Sequence, residues 1–151
     1  MKLEPLMTYH ASLLPAVAVG AGPYGQRAIF EVTSGAFEGP RLRGILRTGG
    51  GDWMLIDAQG VGHLDVRATF ETHDGALIYV QYFGSVVLTE ALTNALQGNG
   101  ETDYGDTYFF TQPRFETGDA RYAWLNQVIA VGQGRVRGGR VEYQVSACVN
   151  D

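Results

Sequence analysis

The stretch from Gly49 to Tyr79, GGGDWMLIDAQGVGHLDVRATFETHDGALIY, decides the fold class of this 151-residue chain. Apolar and polar residues alternate along Leu64–Thr72, which is the pattern of a β-strand with one buried face. The Asp74–Gly75 pair then predicts a two-residue hairpin turn, because the favoured turns of that length need positive φ. The residues that follow, Ala76–Leu88, are rich in Ile, Val, Tyr and Phe and predict the returning strand. The stretch therefore predicts an antiparallel ribbon.

The same pattern continues on both sides of this ribbon. Further strands are predicted after an extended segment at Leu3–Val19: Arg27–Thr33, Arg41–Arg47, Asp52–Asp57, Thr107–Phe115, Arg121–Gln133 and Val141–Val149. One short helix is predicted at Thr89–Leu96, where Thr89 suits the cap and apolar residues recur at helical spacing.

Successive hairpins form a meandering sheet, and closing that sheet removes its exposed edges. We therefore predict an all-β fold consisting of a single antiparallel β-barrel, with at most one short helix near residues 89–97. A β-sandwich is the alternative. No linker or internal repeat divides the chain, so residues 1–151 are expected to form one domain.

The composition of the chain argues against some classes of binding partner. The net charge is −5 and no basic stripe is present, so we expect no nucleic-acid partner. No apolar run approaches the ~20 residues of a membrane-spanning helix, and the first residues lack the pattern of a secretory signal. The single Cys148 lies in an alternating apolar run and is expected to be a buried structural thiol. A cytoplasmic setting without a membrane partner is the expectation.

Several blocks of the chain stand out together: FEGPRLRG (37–44), GGGDW (49–53), LDVRATFETHDGALIYV (64–80), Tyr108 with its aromatic neighbours, and FETGDARYAWLN (115–126). In combination they resemble the DUF3237 family, also called UPF0311, over nearly the whole chain. The resemblance implies a small antiparallel β-barrel related in shape to the allene oxide cyclase and dirigent proteins. The family has no settled activity. Some relatives by shape are cyclases or isomerases, or steer the coupling of small apolar substrates, and only the analogy of fold extends this to the present chain.

Candidate catalytic residues come from one strand and its neighbour. Asp65 and Arg67 share a face of the Leu64 strand, and in a barrel lumen Arg67 would bind a carboxylate, enolate or phenolate. Asp65 would act as a general base if burial raised its pKa. Tyr79 would donate a proton to a developing oxyanion. The predicted ligand-binding residues that shape this pocket are Trp53, Tyr108, Trp124 and Asn126.

The sequence also allows the opposite orientation of the Asp65 and Arg67 side chains. Asp65 and Arg67 would then point outward and form a cross-strand surface pair, with the apolar residues of that strand inside. For Trp53 and Trp124, a place in the core is favoured over contact with a ligand. The run Gly49–Asp52 is favoured as a turn or bulge in which Asp52 bonds nearby amides, because no helix follows it as in phosphate-binding loops.

No metal or cofactor is expected. His10, His63 and His73 do not fall at the short spacings of a local metal site. Ser85 does not lie in the G-x-S-x-G context of a nucleophilic serine, since Val86 and Val87 follow it.

Two functional hypotheses follow from these residues. In the first, the barrel binds a small anionic, phenolic or enolic molecule in its lumen and catalyses a cofactor-independent cyclisation or isomerisation. In the second, the lumen is filled with side chains and the protein is a non-catalytic binding or oligomer-forming module. The second is favoured by the apolar character of both faces of the predicted Ala76–Leu88 strand, because one face could pack on another subunit.

Overall fold

The computed structural model describes residues 1–151 and confirms the all-β prediction. Ten strands and one α-helix follow one another along the chain: β1 (Lys2–Leu13), β2 (Val17–Gly22), β3 (Gly25–Glu38), β4 (Arg43–Leu46), β5 (Gly51–Ile56), β6 (Val61–Thr72), β7 (Leu77–Val87), α1 (Glu90–Leu96), β8 (Phe109–Glu116), β9 (Ala130–Arg137) and β10 (Arg140–Val149). A 3-10 helix at Ala120–Gln127 connects β8 to β9.

The strands form one antiparallel sheet that returns on itself. Strand β1 pairs with β10 through Tyr9 and Tyr143, and with β3 through Tyr9 and Phe37, so the first strand joins the two ends of the sheet. Strands β4 and β5 share the place between β3 and β6. The joint between β8 and β9 is short, with only two paired positions. The result is a barrel-like shape from which the hairpin strand β2 projects.

The inward residues of the strands form a single core. On β6 the inward row is Leu64, Val66, Ala68 and Phe70, all buried. Aromatic rings fill the middle of the interior: the Tyr9 ring lies 5.2 Å from that of Phe70 and 4.9 Å from that of Tyr143, centroid to centroid. Such aromatic contacts contribute about 0.5–1.5 kcal/mol each beyond the burial of their area. Most of the lumen is therefore packed with side chains.

Helix α1 covers one end of the interior. It begins where the Thr89 hydroxyl accepts a hydrogen bond from the Leu92 amide at 3.2 Å, which confirms the predicted cap. It ends at Leu96, and Gly98, just past the Gln97 cap, has a φ of +87° that a residue with a side chain rarely adopts. Its apolar face buries Leu92 and Ala95. Neither this helix nor the 3-10 helix is long and apolar enough to span a bilayer.

The predicted strand at Arg121–Gln133 is wrong in its first half. Local side-chain bonds favour the 3-10 helix there: the Asp119 carboxylate caps it by accepting from the Arg121 amide at 2.9 Å. Asn126 holds its other end, because its Oδ1 accepts from the Thr117 amide at 2.8 Å and its Nδ2 donates to the Thr117 carbonyl at 3.0 Å. The strand begins only at Ala130.

The hairpin between β6 and β7 lies where the Asp74–Gly75 pair predicts it, but the turn differs. Only Gly75 has positive φ, at +90°, whereas a two-residue turn of the predicted kind requires it at both central residues. The Gly75 amide donates to the Thr72 carbonyl at 3.0 Å, and the Thr72 amide donates to the Ala76 carbonyl at 2.9 Å. The chain thus makes a three-residue loop with glycine in the left-handed position.

Candidate functional site

The structure places Asp65 and Arg67 on the outer face of β6. Leu64 and Val66 on either side of Asp65 are buried in the core, so the alternation leaves Asp65 half-buried and Arg67 exposed outside it. The two side chains form no ion pair with each other. The sequence left both orientations open, and the structure has the outward one without the predicted surface pair.

The other predicted site residues also lie away from the lumen. Tyr79 points outward from β7, and Trp53 points outward from β5. Tyr108 is exposed just before β8. Tyr79 and Asn126 do come together, on the wall of a shallow outer groove beside β8.

Trp124 lies in the 3-10 helix and packs partly against the core. The guanidinium of Arg41 covers its ring, with the Arg41 Cζ 3.7 Å from the ring centroid. A cation over an indole face stabilises the pair by about 0.5–2 kcal/mol. Trp124 thereby links the segment before β4 to the 3-10 helix. This is a structural role, the alternative to ligand binding that the sequence left open for it.

The interior offers a different set of polar groups. A cavity of about 40 Å³ lies beneath α1 and is lined by seventeen residues. Asp52 is the only charged residue among them, and the remaining polar atoms of side chains belong to the hydroxyls of Tyr82 and Tyr143. The site is therefore a carboxyl group and two phenols in an otherwise apolar chamber.

Asp52 reaches the interior because of the local geometry of β5. It alternates with the exposed Trp53 and shares its side of the strand with the buried Met54. The pairing of β5 with β6 stops after Asp52–Val66 and resumes only at Leu55–His63. In the gap, the Asp65 amide donates to the Asp52 Oδ1 at 3.0 Å. A hydrogen bond to a side chain thus replaces a backbone hydrogen bond between the two strands.

The glycine run before Asp52 allows this arrangement. Gly49 has a φ of +95°, which turns the chain into β5. A Cβ on Gly50 would lie 2.8 Å from the Arg67 carbonyl oxygen, so only glycine permits β5 to approach β6 this closely. The sequence prediction of a turn in which Asp52 bonds a nearby amide is confirmed, but the carboxyl group also faces the cavity.

Burial raises the pKa of Asp52 to about 7. The hydrogen bond from the Asp65 amide lowers it, and the negative charge of the Asp65 carboxylate raises it further. Near neutral pH this group therefore exists in both protonation states. A carboxyl group with that pKa can accept and return a proton, which is the property required of a general acid–base catalyst.

The neighbouring tyrosines remain protonated under the same conditions. Burial raises the pKa of Tyr82, Tyr143 and Tyr9, and the charge of Asp52 adds to the effect in all three. The Tyr9 hydroxyl is buried without a hydrogen-bond partner. Tyr82 and Tyr143 line the cavity and can donate hydrogen bonds to a molecule beside Asp52.

A larger pocket lies outside the same end of the barrel. It has a volume of about 450 Å³ and shares Leu13, Phe30, Met54 and Leu96 with the interior cavity. Apart from Thr93 and Gln97, its side chains are apolar, and no Lys or Arg lines either space. The four shared residues form the partition between this mouth pocket and Asp52.

The fold and site together define a small barrel-like β protein with a poised carboxyl group in an apolar interior. The family model described as "Protein of unknown function (DUF3237)" matches residues 1–148, and the chain belongs to that family. It is 31% identical over 145 residues to a UPF0311 protein of Rhodopseudomonas palustris, covering 96% of this chain and 95% of the relative. The predicted family is thus confirmed.

Solved structures show the same fold. A β-barrel-like protein from Acinetobacter baumannii is 35% identical, with a TM-score of 0.81 over 97% of this chain and 94% of that one. A conserved protein of unknown function from Rhodopseudomonas palustris has 29% identity and a TM-score of 0.87 over 99% of both chains. A protein described as an enzyme from Penicillium herquei has 22% identity and a TM-score of 0.70 over 96% of this chain and 93% of that one, which shows a likeness of fold alone.

Sequence reasoning missed Asp52, Tyr82 and Tyr143 as a group. The signal for Asp52 was its spacing of two residues from Met54, which puts both side chains on one face of a strand. Tyr82 likewise follows Ile78 and Val80 at strand spacing, on the row that is buried. Nothing in the sequence shows that Tyr143, some sixty residues later, lies across the same cavity.

Proposed function

We propose that the protein binds a small, uncharged, mainly apolar molecule with an enolic or phenolic hydroxyl group, and catalyses a proton transfer on it through Asp52. A cyclisation or an isomerisation fits this chemistry. The observation that carries the proposal is a single ionisable carboxyl group, with a pKa of about 7, in a cavity lined otherwise by apolar side chains and two phenols.

The electrostatics favour a neutral substrate over an anionic one. No cation lines the cavity or the mouth pocket, so a bound carboxylate would have no partner and would face the charge of Asp52. Arg67, which the sequence offered as the anion-binding group, lies outside the barrel. A hydroxyl group loses its proton to Asp52 without bringing a second charge into the interior.

The two spaces suit two parts of such a molecule. The mouth pocket of about 450 Å³ falls within the usual range for small-molecule sites and would hold the apolar body. The interior cavity of about 40 Å³ has room for roughly three water-sized groups, enough for the hydroxyl group and its neighbouring atoms. Entry requires the side chains of the partition, such as Met54 and Leu96, to change rotamer.

The proposed reaction conserves protons. The Asp52 carboxylate removes a proton from the substrate hydroxyl group or from an acidic carbon, and the hydroxyl of Tyr82 or Tyr143 donates a hydrogen bond to the oxygen that becomes negative. The protonated Asp52 then returns the proton to another atom of the substrate. The substrate gains and loses no electrons, so no oxidant or reductant enters the balance.

A pair of probes tests the binding step. We expect 2-naphthol to bind, as followed by its fluorescence, and 2-naphthoate to bind at least about tenfold more weakly above neutral pH, because its charge is unpartnered inside. The Asp52→Asn variant removes the repulsion and should narrow this difference. Equal binding of both probes to the wild-type protein would refute the proposed neutral specificity.

A carbon acid tests the proton transfer. Exchange of the α-protons of 2-tetralone in D2O, followed by NMR, is expected to be faster with the wild-type protein than in buffer alone, and to fall to the buffer rate with Asp52→Asn. The Asp57→Asn variant is the matched control, because Asp57 lies at the β5–β6 turn and bonds His63. An Asp52→Asn rate equal to that of the wild-type protein would contradict the role of Asp52.

A non-catalytic binding protein is the second candidate function. The small volume of the interior cavity favours it, since most of the lumen is packed with side chains. Binding of 2-naphthol without exchange of 2-tetralone protons would support this function over catalysis. A catalytic role for Asp65, Arg67 and Tyr79 stays a prediction, and it would have to be exercised on the outer face.

A further inference from the structure

The outer face of strands β5 to β8 carries an uncommon concentration of exposed rings. Four aromatic residues, which we call the aromatic face, lie there with the following exposed fractions: Trp53 37%, Phe110 45%, Phe83 57% and Tyr108 59%. The rings of Tyr108 and Phe110 contact each other edge to face, with centroids 4.8 Å apart. Exposed apolar patches larger than a few hundred Å² mark interaction sites on proteins.

Two charged residues without partners lie in the same surface. Asp65 is directly opposite Phe83 in the pairing of β6 with β7, and the register of β5 on β6 places Trp53 on its other side. The Asp65 Oδ1 is buried and has no hydrogen-bond partner. Arg67, two residues along the same face, is exposed and makes no ion pair. The half-exposed carboxylate of Asp65 and the exposed guanidinium of Arg67 are therefore both without an ionic partner on this surface.

We propose that the aromatic face binds the same face of a second copy of this chain, in a dimer with two-fold symmetry. Asp65 and Arg67 lie one residue to either side of Val66. A two-fold axis that lies between the two facing sheets, perpendicular to the β6 strands at the level of Val66, exchanges the two positions, so each Arg67 lies over the Asp65 of the other copy. A symmetric interface needs a surface that complements itself, and this spacing provides it.

The area of the aromatic face agrees with this occupant. With about 200 Å² for a whole aromatic side chain, the exposed fractions amount to roughly 400 Å². A standard interface buries about 800 Å² per partner, of which about 56–65% is apolar. The aromatic face thus supplies most of the apolar area that a stable dimer requires, and the exposed Gln112 and Arg114 of β8 extend the polar rim.

Charge reversal tests the proposal. Sedimentation over a wide range of concentration is expected to show a dimer for the wild-type protein and a dimer weakened by at least about a hundredfold for Arg67→Glu, where acid faces acid. The double variant Asp65→Arg/Arg67→Asp restores the pairing and should restore the dimer. Arg43→Glu is the matched control, because it makes the same charge change on an exposed strand position away from this face.

Each of the other possible outcomes contradicts one part of the dimer proposal. A wild-type protein that stays monomeric, or a dimer that Arg67→Glu leaves unchanged, would overturn the proposal, and a trimer would overturn the two-fold symmetry. Far-UV circular dichroism checks that the variants fold. If Arg67→Glu does not fold, Phe83→Gln is the second variant, since it removes an exposed ring and should also dissociate the dimer. Binding of 2-naphthol to Arg67→Glu should persist, which separates this proposal from the proposed function of the interior.

Discussion

Replacing Asp52 by Asn should change how the stability of the protein depends on pH. The pKa of Asp52 rises from 3.8 to about 7 on folding because the group is buried. As pH rises from about 4 to about 7, the unfolded chain has already lost this proton while the folded protein still holds it, so the free energy of unfolding falls. Above about pH 7 both states are ionised and the loss is complete.

The size of the effect follows from the pKa difference. A change from 3.8 to about 7 corresponds to a loss of roughly 4 kcal/mol between about pH 4 and about pH 8, at about 1.36 kcal/mol per pKa unit. Asn has nearly the same shape, keeps an oxygen that accepts from the Asp65 amide, and does not ionise. The stability advantage of the Asn variant over the wild-type protein should therefore grow from roughly 2 kcal/mol near pH 5 to roughly 4 kcal/mol near pH 8.5.

Urea unfolding of both proteins at the two pH values measures this difference. For a chain of this size, roughly 4 kcal/mol corresponds to a change of about 8–16 °C in Tm. Asp119→Asn is the control: a hydrogen bond from Arg121 holds the pKa of Asp119 at about 2, so that group is ionised at both pH values and its replacement adds no slope. If the free energy of unfolding depended on pH in the same way for the wild-type and Asp52→Asn proteins, the assignment of Asp52 as a buried acid with a raised pKa would be refuted.

Three further changes test the surrounding structure. Phe70→Ala removes a ring that is 1% exposed and should destabilise the protein by about 3–5 kcal/mol in urea unfolding. Thr89→Ala removes the α1 cap and should lower the free energy of unfolding by about 1 kcal/mol, whereas Thr93→Ala, at an exposed position of the same helix, should not. Asp65→Asn removes a negative charge that raises the pKa of Asp52, so the Asp52 midpoint in a carboxyl NMR titration should fall; an unchanged midpoint would mean that burial alone sets it.

The features that were predicted best are those that depend only on the alternation of apolar and polar residues. Along β6 the period of two separates the buried row, Leu64 to Phe70, from the outer row that holds Asp65 and Arg67. The helix near residues 89–97 was equally readable, because its cap and its apolar spacing are local. The position of the turn at Asp74–Gly75 could be predicted, but its type could not, because two-residue and three-residue hairpin loops share the same glycine signal.

The 3-10 helix shows where local reading failed. Tyr122, Trp124 and Asn126 alternate in a way that predicts a strand, yet the segment is held by bonds to Thr117 and by the Asp119 cap. Asp119 follows Gly118, a combination typical of turns, so the cap has a local signal in the sequence. The bond between Asn126 and Thr117 was not, because it depends on the chain returning after nine residues.

Which of the two neighbouring acidic residues faces the interior could not be predicted, for a related reason. Asp65 drew attention because a charged pair on a regular strand is easy to see, whereas Asp52 follows a glycine run and looks like part of a turn. The structure reverses their positions: the two carboxylates belong to neighbouring strands, one facing the interior and one the outside, joined by the bond from the Asp65 amide to Asp52.

An inward carboxyl group departs from the apolar pattern of this core. Its cost is reduced by one amide donor and by protonation near neutral pH, and nothing else in the lining compensates for its charge. Asn at position 52 would keep the bond to the Asp65 amide without a charge, so stability does not explain the carboxyl group. Departures of this kind concentrate at functional sites. This is the physical reason for proposing that the chemistry of the protein takes place at Asp52, and that the outer pair, Asp65 and Arg67, belongs to a contact surface.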